Sequence, residues 1–478
     1  MKNDKSKNYI KHHFNNLASK RDVWLKKNKY FYSSDNSYIK FLIGDNKKVL
    51  ELGCGNGQLL KKLKLKHGVG IDISDKFIEQ AQMHEKEIKF LCCDFEDPNF
   101  FDKPELNIDF DYIILSDSIG YLDDCELFFK NLHKICSHKT KIILTYYSWK
   151  WHPVIKLAEK LKLKMPSIEM NNLSTDDTIS ILDLADFELV KREWRLLSPR
   201  SFLLIGHIIN KLFAPLPLFR KFCIRNYIVA KPKIKDPFDP LSVSVVIPCK
   251  NERGNVESAI KRIPKFGKEL EIIFVEGGSH DGTQEEINRV IKEYPSIKIK
   301  TISQDGEGKG DAVRKAFGQA SGDILMILDA DLTVPPEDLP KFYDAIINRK
   351  GEFINGTRLV YPMHDQAMRF LNLWANKTFS VIFSWLLNQR LTDTLCGTKV
   401  LLKKDYLEIV NNRSYFGDFD PFGDFDLIFG ATKSNLKIIE IPIRYDERKY
   451  GSTQISRFRH GWLLLKMVVF AYKKLKLI

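Results

Sequence analysis

Eight cysteines in 478 residues include no Cys-x-x-Cys pair, so a zinc site built on thiolates and a disulfide framework are both disfavoured, and reduced thiols are expected. No run of about 18 uncharged apolar residues occurs, which argues against a membrane-spanning helix. The opening Met1-Lys-Asn-Asp-Lys-Ser-Lys7 lacks the apolar stretch of a secretory signal, so a cytoplasmic location is expected. Internal repeats are also missing. What remains is a composition of 44% hydrophobic and 28% charged residues, which excludes a disordered chain and fits a soluble globular one. At roughly 100 to 200 residues per domain, the length allows two or three cores, and two is the economical number.

The net charge of +14 is unevenly placed. Residues 1–190 carry 29 basic and 28 acidic side chains and are nearly neutral. Between Lys191 and Lys235 eleven Lys or Arg face one acid, Glu193, and alternate with Phe202-Leu-Leu-Ile-Gly-His-Ile-Ile209 and Leu212-Phe-Ala-Pro-Leu-Pro-Leu-Phe219. After Glu447 the tail holds eight Lys or Arg and no acid. Basic and apolar residues together fit either a peripheral membrane surface or core helices with a solvated basic face. Nucleic acid is not expected, because the aromatics do not recur as a stacking platform.

Residues 9–40 read as helical, and Lys48–Leu52 as a buried strand. Strand and helix then alternate: strands at Val69–Ile73, Lys89–Cys93, Asp111–Ser116 and Lys141–Tyr146, and a helix at Phe77–Glu85. Three prolines in Ala230–Pro240 mark a linker, since proline blocks both helix continuation and central-strand pairing. A second alternation follows at Ser242–Ile247, Glu271–Val275, Ile297–Ile302 and Ile324–Leu328. The expected fold class is therefore α/β, two doubly wound Rossmann-like domains in tandem: residues 1–229 with a basic, apolar C-terminal extension, a linker at 230–240, and residues 241–478.

In the first domain, Gly53, Gly55 and Gly57 let the chain turn sharply after a strand and leave amides open to a ligand. Asp72, nineteen residues after Gly53, stands at the end of the second strand, where a carboxylate can accept from both ribose hydroxyls. Asp94, at the end of the third strand, can accept from an adenine amino group. Together with Glu51-Leu-Gly-Cys-Gly-Asn-Gly57, these residues resemble the class I S-adenosylmethionine-dependent methyltransferases over about residues 10–190. The resemblance implies cofactor contact by Glu51, Gly53, Gly55, Gly57, Asp72 and Asp94. A nicotinamide dehydrogenase would more typically show a longer Gly-x-Gly-x-x-Gly spacing. Methyl transfer needs chiefly alignment of a sulfonium with a nucleophile, so no catalytic base is required, and His152 reads as a loop histidine ahead of a base.

In the second domain the apolar strand at 324–328 ends in Asp329-Ala-Asp331. Two carboxylates one residue apart can hold a hard divalent ion, which in turn neutralises a diphosphate. Pro248-Cys-Lys-Asn-Glu252, Glu276-Gly-Gly-Ser-His-Asp-Gly-Thr283 and Gly308-Lys-Gly-Asp-Ala312 accompany it. The set resembles an inverting, family-two glycosyltransferase of the GT-A fold from about Leu241 onward. It implies nucleotide-sugar binding by Pro248, Asn251, Glu252, Glu276, Lys309, Ala330 and Arg358, with Mg or Mn and the diphosphate at Asp329 and Asp331. Two positions depart from the pattern: Glu276-Gly277 stands where Asp-Asp is usual, and Thr333 where Gln is usual.

Asp329-Ala-Asp-Leu-Thr-Val-Pro-Pro-Glu337, Asp393-Thr-Leu-Cys-Gly397 and Arg448-Lys-Tyr-Gly-Ser-Thr453 look like the polyprenyl-phosphate sugar transferases. Their acceptor is a lipid phosphate, already anionic, so basic residues rather than a strong base should gather there. Arg358, Arg369 and Arg448 are the candidates, and Asp393 and Arg448 join Asp329 and Asp331 as expected catalytic residues. With a hydroxyl acceptor, Asp393, Asp424 and Asp426 would be the base candidates. Met368–Leu387 reads as an interfacial helix pair. The expectation is a bifunctional enzyme with S-adenosylmethionine, a divalent metal, a nucleotide-sugar and a polyprenyl phosphate as its ligands. The rival is a fusion in which one domain only binds its nucleotide.

Overall fold

The structure is a computed structural model and describes residues 2–168, 170–171, 173–306, 308–360, 370–417, 423–446, 448, 450–451 and 457–478. Two compact units divide it: residues 1–233 with 476–478, and residues 234–475.

In the first unit the strands are β1 (Lys47–Leu52), β2 (Leu65–Asp72), β3 (Lys89–Cys92), β4 (Tyr112–Ser116), β5 (Lys141–Tyr147), β6 (Phe187–Arg195) and β7 (Arg225–Pro232). They form one sheet in the order β3-β2-β1-β4-β5-β7-β6. The first five run parallel, and the central ones, β1, β4 and β5, are apolar and buried as strands covered on both faces are. One apolar cluster, including Leu52, Ile113 and Leu144, covers one face, and a second, including Val49, Ile114 and Ile143, covers the other. Strand order reverses between β1 and β4, which opens a crevice at their carboxyl ends.

Two expectations need correction here. Ala230–Pro232 is not linker but the end of β7, an interior strand hydrogen-bonded to β5 on one side and β6 on the other. Proline is tolerated because Pro232 is the last residue of that strand. The basic stretch after Lys191 is likewise no mere extension, since β6 and β7 complete the sheet. Their charged residues concealed them: Arg225 is wholly buried within an ion-pair cluster. At the N-terminus the helical stretch expected over 9–40 is carried by three helices, Lys2–Ala18, Arg21–Lys27 and Lys29–Ile43.

The second unit holds β8 (Val243–Cys249), β9 (Leu270–Glu276), β10 (Lys298–Ser303), β11 (Ile324–Ile327), β12 (Phe353–Thr357), β13 (Lys399–Leu402) and β14 (Ile438–Pro442). The order is β10-β9-β8-β11-β13-β12-β14, with β13 antiparallel to both neighbours. The switch falls between β8 and β11, so the loops after Pro248 and Leu328 meet at one crevice. Met368–Leu387 was read as a helix pair; its described part is one continuous helix, Phe370–Leu387, with Phe383, Leu386 and Leu387 buried. Among the described residues no helix is long and apolar enough to cross a membrane. All eight cysteines are free; Cys54, Cys223, Cys249 and Cys396 are buried, while Cys92 is exposed.

Candidate functional sites

A cavity of about 520 Å³ opens at the carboxyl ends of β1, β2, β4 and β5 in the first unit. Glu51, Gly53, Gly55, Asp72 and Asp94 all line it. Gly53 has φ +83°, and a Cβ there would fall 2.7 Å from the Cβ of Ser118, so the loop can take only glycine at that point. Asp72 organises the turn: its Oδ2 accepts from the Gly55 amide at 2.8 Å and its Oδ1 from Ser74 at 2.9 Å. Gly57 is the exception among the expected cofactor residues, because it packs on the Phe90 ring rather than lining the cavity.

The acids of this cavity are short of compensating charge. Burial pushes the Glu51 carboxyl well above its usual range, and neighbouring Asp72 adds to the effect while Arg21 opposes it. Glu51 Oε2 is buried without a hydrogen-bond partner. Burial also raises Asp72, although hydrogen bonds from Ser74 and Gly55 oppose it. A cationic ligand placed here would meet carboxylates that gain from its charge.

Of the lining residues, Arg21 and Asp35 were not legible in the sequence as site residues. Arg21 reaches the cavity from a short helix, and Asp35 and Asp117 from opposite sides of a buried ion-pair cluster. In that cluster Arg225 binds Asp35 at 3.0 Å, Asp117, and the Thr145 hydroxyl at 2.6 Å. Tyr147, stacked on Phe31, completes the wall. No local spacing announces contacts across 190 residues.

The second unit assembles its carboxylates around cations. Arg448 bridges two loops, donating from Nη1 to Glu252 at 3.1 Å and from Nη2 to Asp331 Oδ2 at 2.8 Å. Lys309 Nζ binds Asp329 Oδ1 at 2.6 Å. Burial would raise Asp329, but Lys309 above all, with Lys399 and Arg358, holds its carboxyl below the usual range. Gly397 lets the Asp393–Gly397 loop close on this acid, since a Cβ there would lie 1.9 Å from Asp329 Oδ2. Thr333 donates to Asp331 Oδ1 from its hydroxyl at 2.8 Å and from its amide at 3.1 Å. Ala330, between the two acids, is buried.

The nucleotide-side loops are tied together by their own polar groups. Asn251, at φ +57°, donates its amide to Ser279 and accepts from the His280 amide, both at 2.9 Å. Glu276 accepts from the amides of Gly278 at 3.0 Å and Ser279 at 2.5 Å. Burial works against the charged form of Glu276, yet the hydrogen bonds from Ser279 and Gly278 win and its pKa falls. Pro248, in β8, pairs with Val275.

Arg358 and Asp393 meet in a buried two-pronged pair, Nε to Oδ2 at 2.7 Å and Nη2 to Oδ1 at 2.8 Å. Asp424 lies 3.2 Å from Lys399 and 3.6 Å from Lys309, and Asp426 lies 3.3 Å from Arg413. Each possible base thus already has a cation. Arg369 lies outside the described residues. Among the described residues no group of three or more His, Cys, Asp or Glu could hold a metal ion unaided.

Comparison with known families agrees with both halves. A methyltransferase domain model matches residues 43–189, and the glycosyl transferase family 2 model matches residues 244–409. The dolichol-phosphate mannosyltransferase of Pyrococcus furiosus is 40% identical over 238 residues, covering 47% of this chain and 64% of that protein. The undecaprenyl-phosphate 4-deoxy-4-formamido-L-arabinose transferase of Edwardsiella ictaluri is 24% identical over 234 residues, covering 48% and 66%. The chain therefore spans less than two thirds of the length of either relative. A solved methyltransferase from Thermotoga maritima, described as a possible histamine N-methyltransferase, aligns with 47% of this chain and all of that one, at 17% identity and a TM-score of 0.35. The chain carries two transferase domains, a methyltransferase domain at residues 43–189 and a family 2 glycosyltransferase domain at residues 244–409.

Proposed function

We propose that this chain is a bifunctional transferase. Its second unit moves a sugar from a nucleotide-sugar to a polyprenyl phosphate with inversion, and its first moves a methyl group from S-adenosylmethionine to a separate acceptor. The observation that carries the sugar-transfer reading is the clamp in which Lys309 and Arg448 bind Asp329, Asp331 and Glu252. Cations and hard carboxylate oxygens brought together in this way suit a diphosphate with a divalent ion.

Asp329 and Asp331 would offer such an ion two hard oxygen donors. When bound, Mg or Mn would neutralise charge on the departing diphosphate. Lys309 and Arg448 would transfer part of their pairing from the carboxylates to phosphate oxygens. An acceptor phosphate is anionic near neutral pH and attacks the anomeric carbon without surrendering a proton, so no base is needed. In keeping with this, Asp393 is locked to Arg358, and Asp424 and Asp426 are occupied by Lys399 and Arg413. A hydroxyl acceptor would need one of these acids free.

In the first unit S-adenosylmethionine supplies an activated methyl group. Gly53 and Gly55 open the backbone to it, Asp72 offers ribose its remaining lone pairs, and Asp94 faces the adenine end. Glu51 and Asp72 together favour the cationic cofactor over neutral analogues. Peripheral association with the cytoplasmic membrane face accompanies a polyprenyl acceptor.

Purified chain incubated with a panel of nucleotide-sugars, Mn or Mg, and a short polyprenyl phosphate in detergent tests the reading. Nucleoside diphosphate release that depends on the lipid is the expected result. Release with hydroxyl acceptors but not with the lipid, or full turnover by Asp331→Asn with unchanged metal dependence, overturns it.

A further inference from the structure

The sequence between β6 and β7 leaves a conspicuous surface. Phe202, Leu203, Leu204 and Ile205 are exposed together, Leu203 at 93% of its maximum, and Leu218 at 81% and Phe222 at 61% extend the patch. Folding usually buries such side chains, and a cluster of them facing water marks an interaction surface. Phe202, Leu203 and Leu204 also hold left-handed backbone, at φ +35°, +46° and +73°. That conformation is disfavoured for bulky residues. From Arg195 to Lys235 no acidic residue occurs, while Arg200, Lys211 and Lys221 flank the apolar tip.

The patch lies beside the opening of the methyltransferase cavity. Lys29 and Trp149 both line that cavity and are exposed, so they mark where it meets the surface. Each is tied to the patch through a near neighbour. Trp151 donates its indole N–H to the Phe222 carbonyl at 2.8 Å, and Asn210 donates to the Tyr30 hydroxyl at 3.1 Å. The helix His152–Lys160, whose His152 and Ile155 line the cavity, carries a second exposed apolar stripe, Val154 and Leu157 with Leu161 just beyond. Lys150, Lys160 and Lys162 surround that stripe.

From the apolar tip, its basic flanks and its place at the cavity mouth, we infer that residues 199–222 insert into an anionic lipid surface and that the methyl acceptor is a lipid-borne molecule delivered from it. The inference rests on the first unit being a methyltransferase. Apolar side chains with a ring of Lys and Arg match the acyl region and the anionic headgroups in one step, which a protein partner would match only with its own acidic rim. An acceptor anchored in the bilayer would reach Trp149 and His152 without crossing water, so both units would draw their acceptors from the same membrane.

The test uses the full chain with Leu203→Cys in a Cys92→Ser background, labelled at residue 203 with an environment-sensitive fluorophore. On vesicles of phosphatidylglycerol and phosphatidylcholine the emission shifts to the blue and is quenched by a lipid-borne quencher; on phosphatidylcholine alone the partition falls by roughly ten-fold. A probe that stays solvent-exposed while the chain binds vesicles overturns the proposal. So does a blue shift that needs no lipid and grows with protein concentration, which would identify a self-association surface. The double variant Leu203→Glu, Leu218→Glu should retain S-adenosylmethionine binding by calorimetry yet lose vesicle partition by roughly ten-fold; unchanged partition overturns the loop's role. Incubation with radiolabelled S-adenosylmethionine and cell membranes should place label in the organic extract, and label confined to the aqueous phase overturns the lipid-borne acceptor. Loss of S-adenosylmethionine binding by the unsubstituted chain would instead sink the methyltransferase reading and leave the insertion result standing.

Discussion

The two sites treat their acids in opposite ways. In the first unit Glu51 and Asp72 are buried where desolvation raises both, and Glu51 keeps an oxygen with no hydrogen-bond partner. In the second, Lys309 and Arg448 sit directly on Asp329 and Asp331, and Asp329 is held below its usual range. The difference follows the charge of the ligand each site would take. A sulfonium and an ammonium bring positive charge to acids that lack it, whereas a diphosphate brings negative charge to a site already supplied with cations. One doubly wound architecture would thus suit ligands of opposite sign through the side chains at its switch point.

The first unit contains one exception, and it gives the largest expected effect. Arg225 is wholly buried between Asp35 and Asp117, so Arg225→Met would leave buried Asp35 without its cation and should cost about 3–5 kcal/mol. Chemical denaturation should show the first unit's transition displaced and the second unit's unchanged. In the second unit Asp331→Asn removes one of the two acids that Arg448 bridges and one hard oxygen donor. Sugar transfer should fall on the order of a hundred-fold or more, read as lipid-dependent nucleoside diphosphate release, while S-adenosylmethionine binding stays intact.

A pH series sharpens the contrast. Burial raises Glu51 and Asp72 above their usual range, and a bound cation favours their charged forms, so binding releases protons. S-adenosylmethionine affinity should therefore rise with pH until the pH exceeds the raised values, and Glu51→Gln should flatten the rise. Asp393 behaves conversely. Burial opposes its charge, but the Arg358 pair lowers its pKa, so the stability it contributes is present above the ordinary carboxylate range and is lost as pH falls through the lowered value. Asp393→Asn should destabilise the second unit at pH 7 and lose that effect in acid, as denaturation at two pH values would show. The smallest change concerns Thr333, whose hydroxyl donates to Asp331. Thr333→Val should cost about 1 kcal/mol, or roughly five-fold in sugar transfer.

The parallel halves of both sheets were legible because β1, β4, β5, β8, β9 and β11 hold apolar runs, several ending in glycine or carboxylate turns. Gly53, Gly55, Asp72 and Asp94 could be read from one local segment for the same reason. The antiparallel closures were not. In β6 and β7 charged residues interrupt the pattern, and Arg225 and Glu193 are buried there against partners distant in sequence. Gly57 misled because its spacing matches a cofactor loop while its backbone turns into the Phe90 contact. Arg358 was expected as a cation of the second site, and its engagement with Asp393, 35 residues away, has no local signature.

The charge contrast is tested most directly by calorimetry of S-adenosylmethionine and S-adenosylhomocysteine binding in two buffers of different ionisation enthalpy. The two ligands differ by the methyl group and its sulfonium charge. More proton release is expected with S-adenosylmethionine than with S-adenosylhomocysteine, with loss of that excess in Glu51→Gln. Equal proton release for both ligands would contradict it.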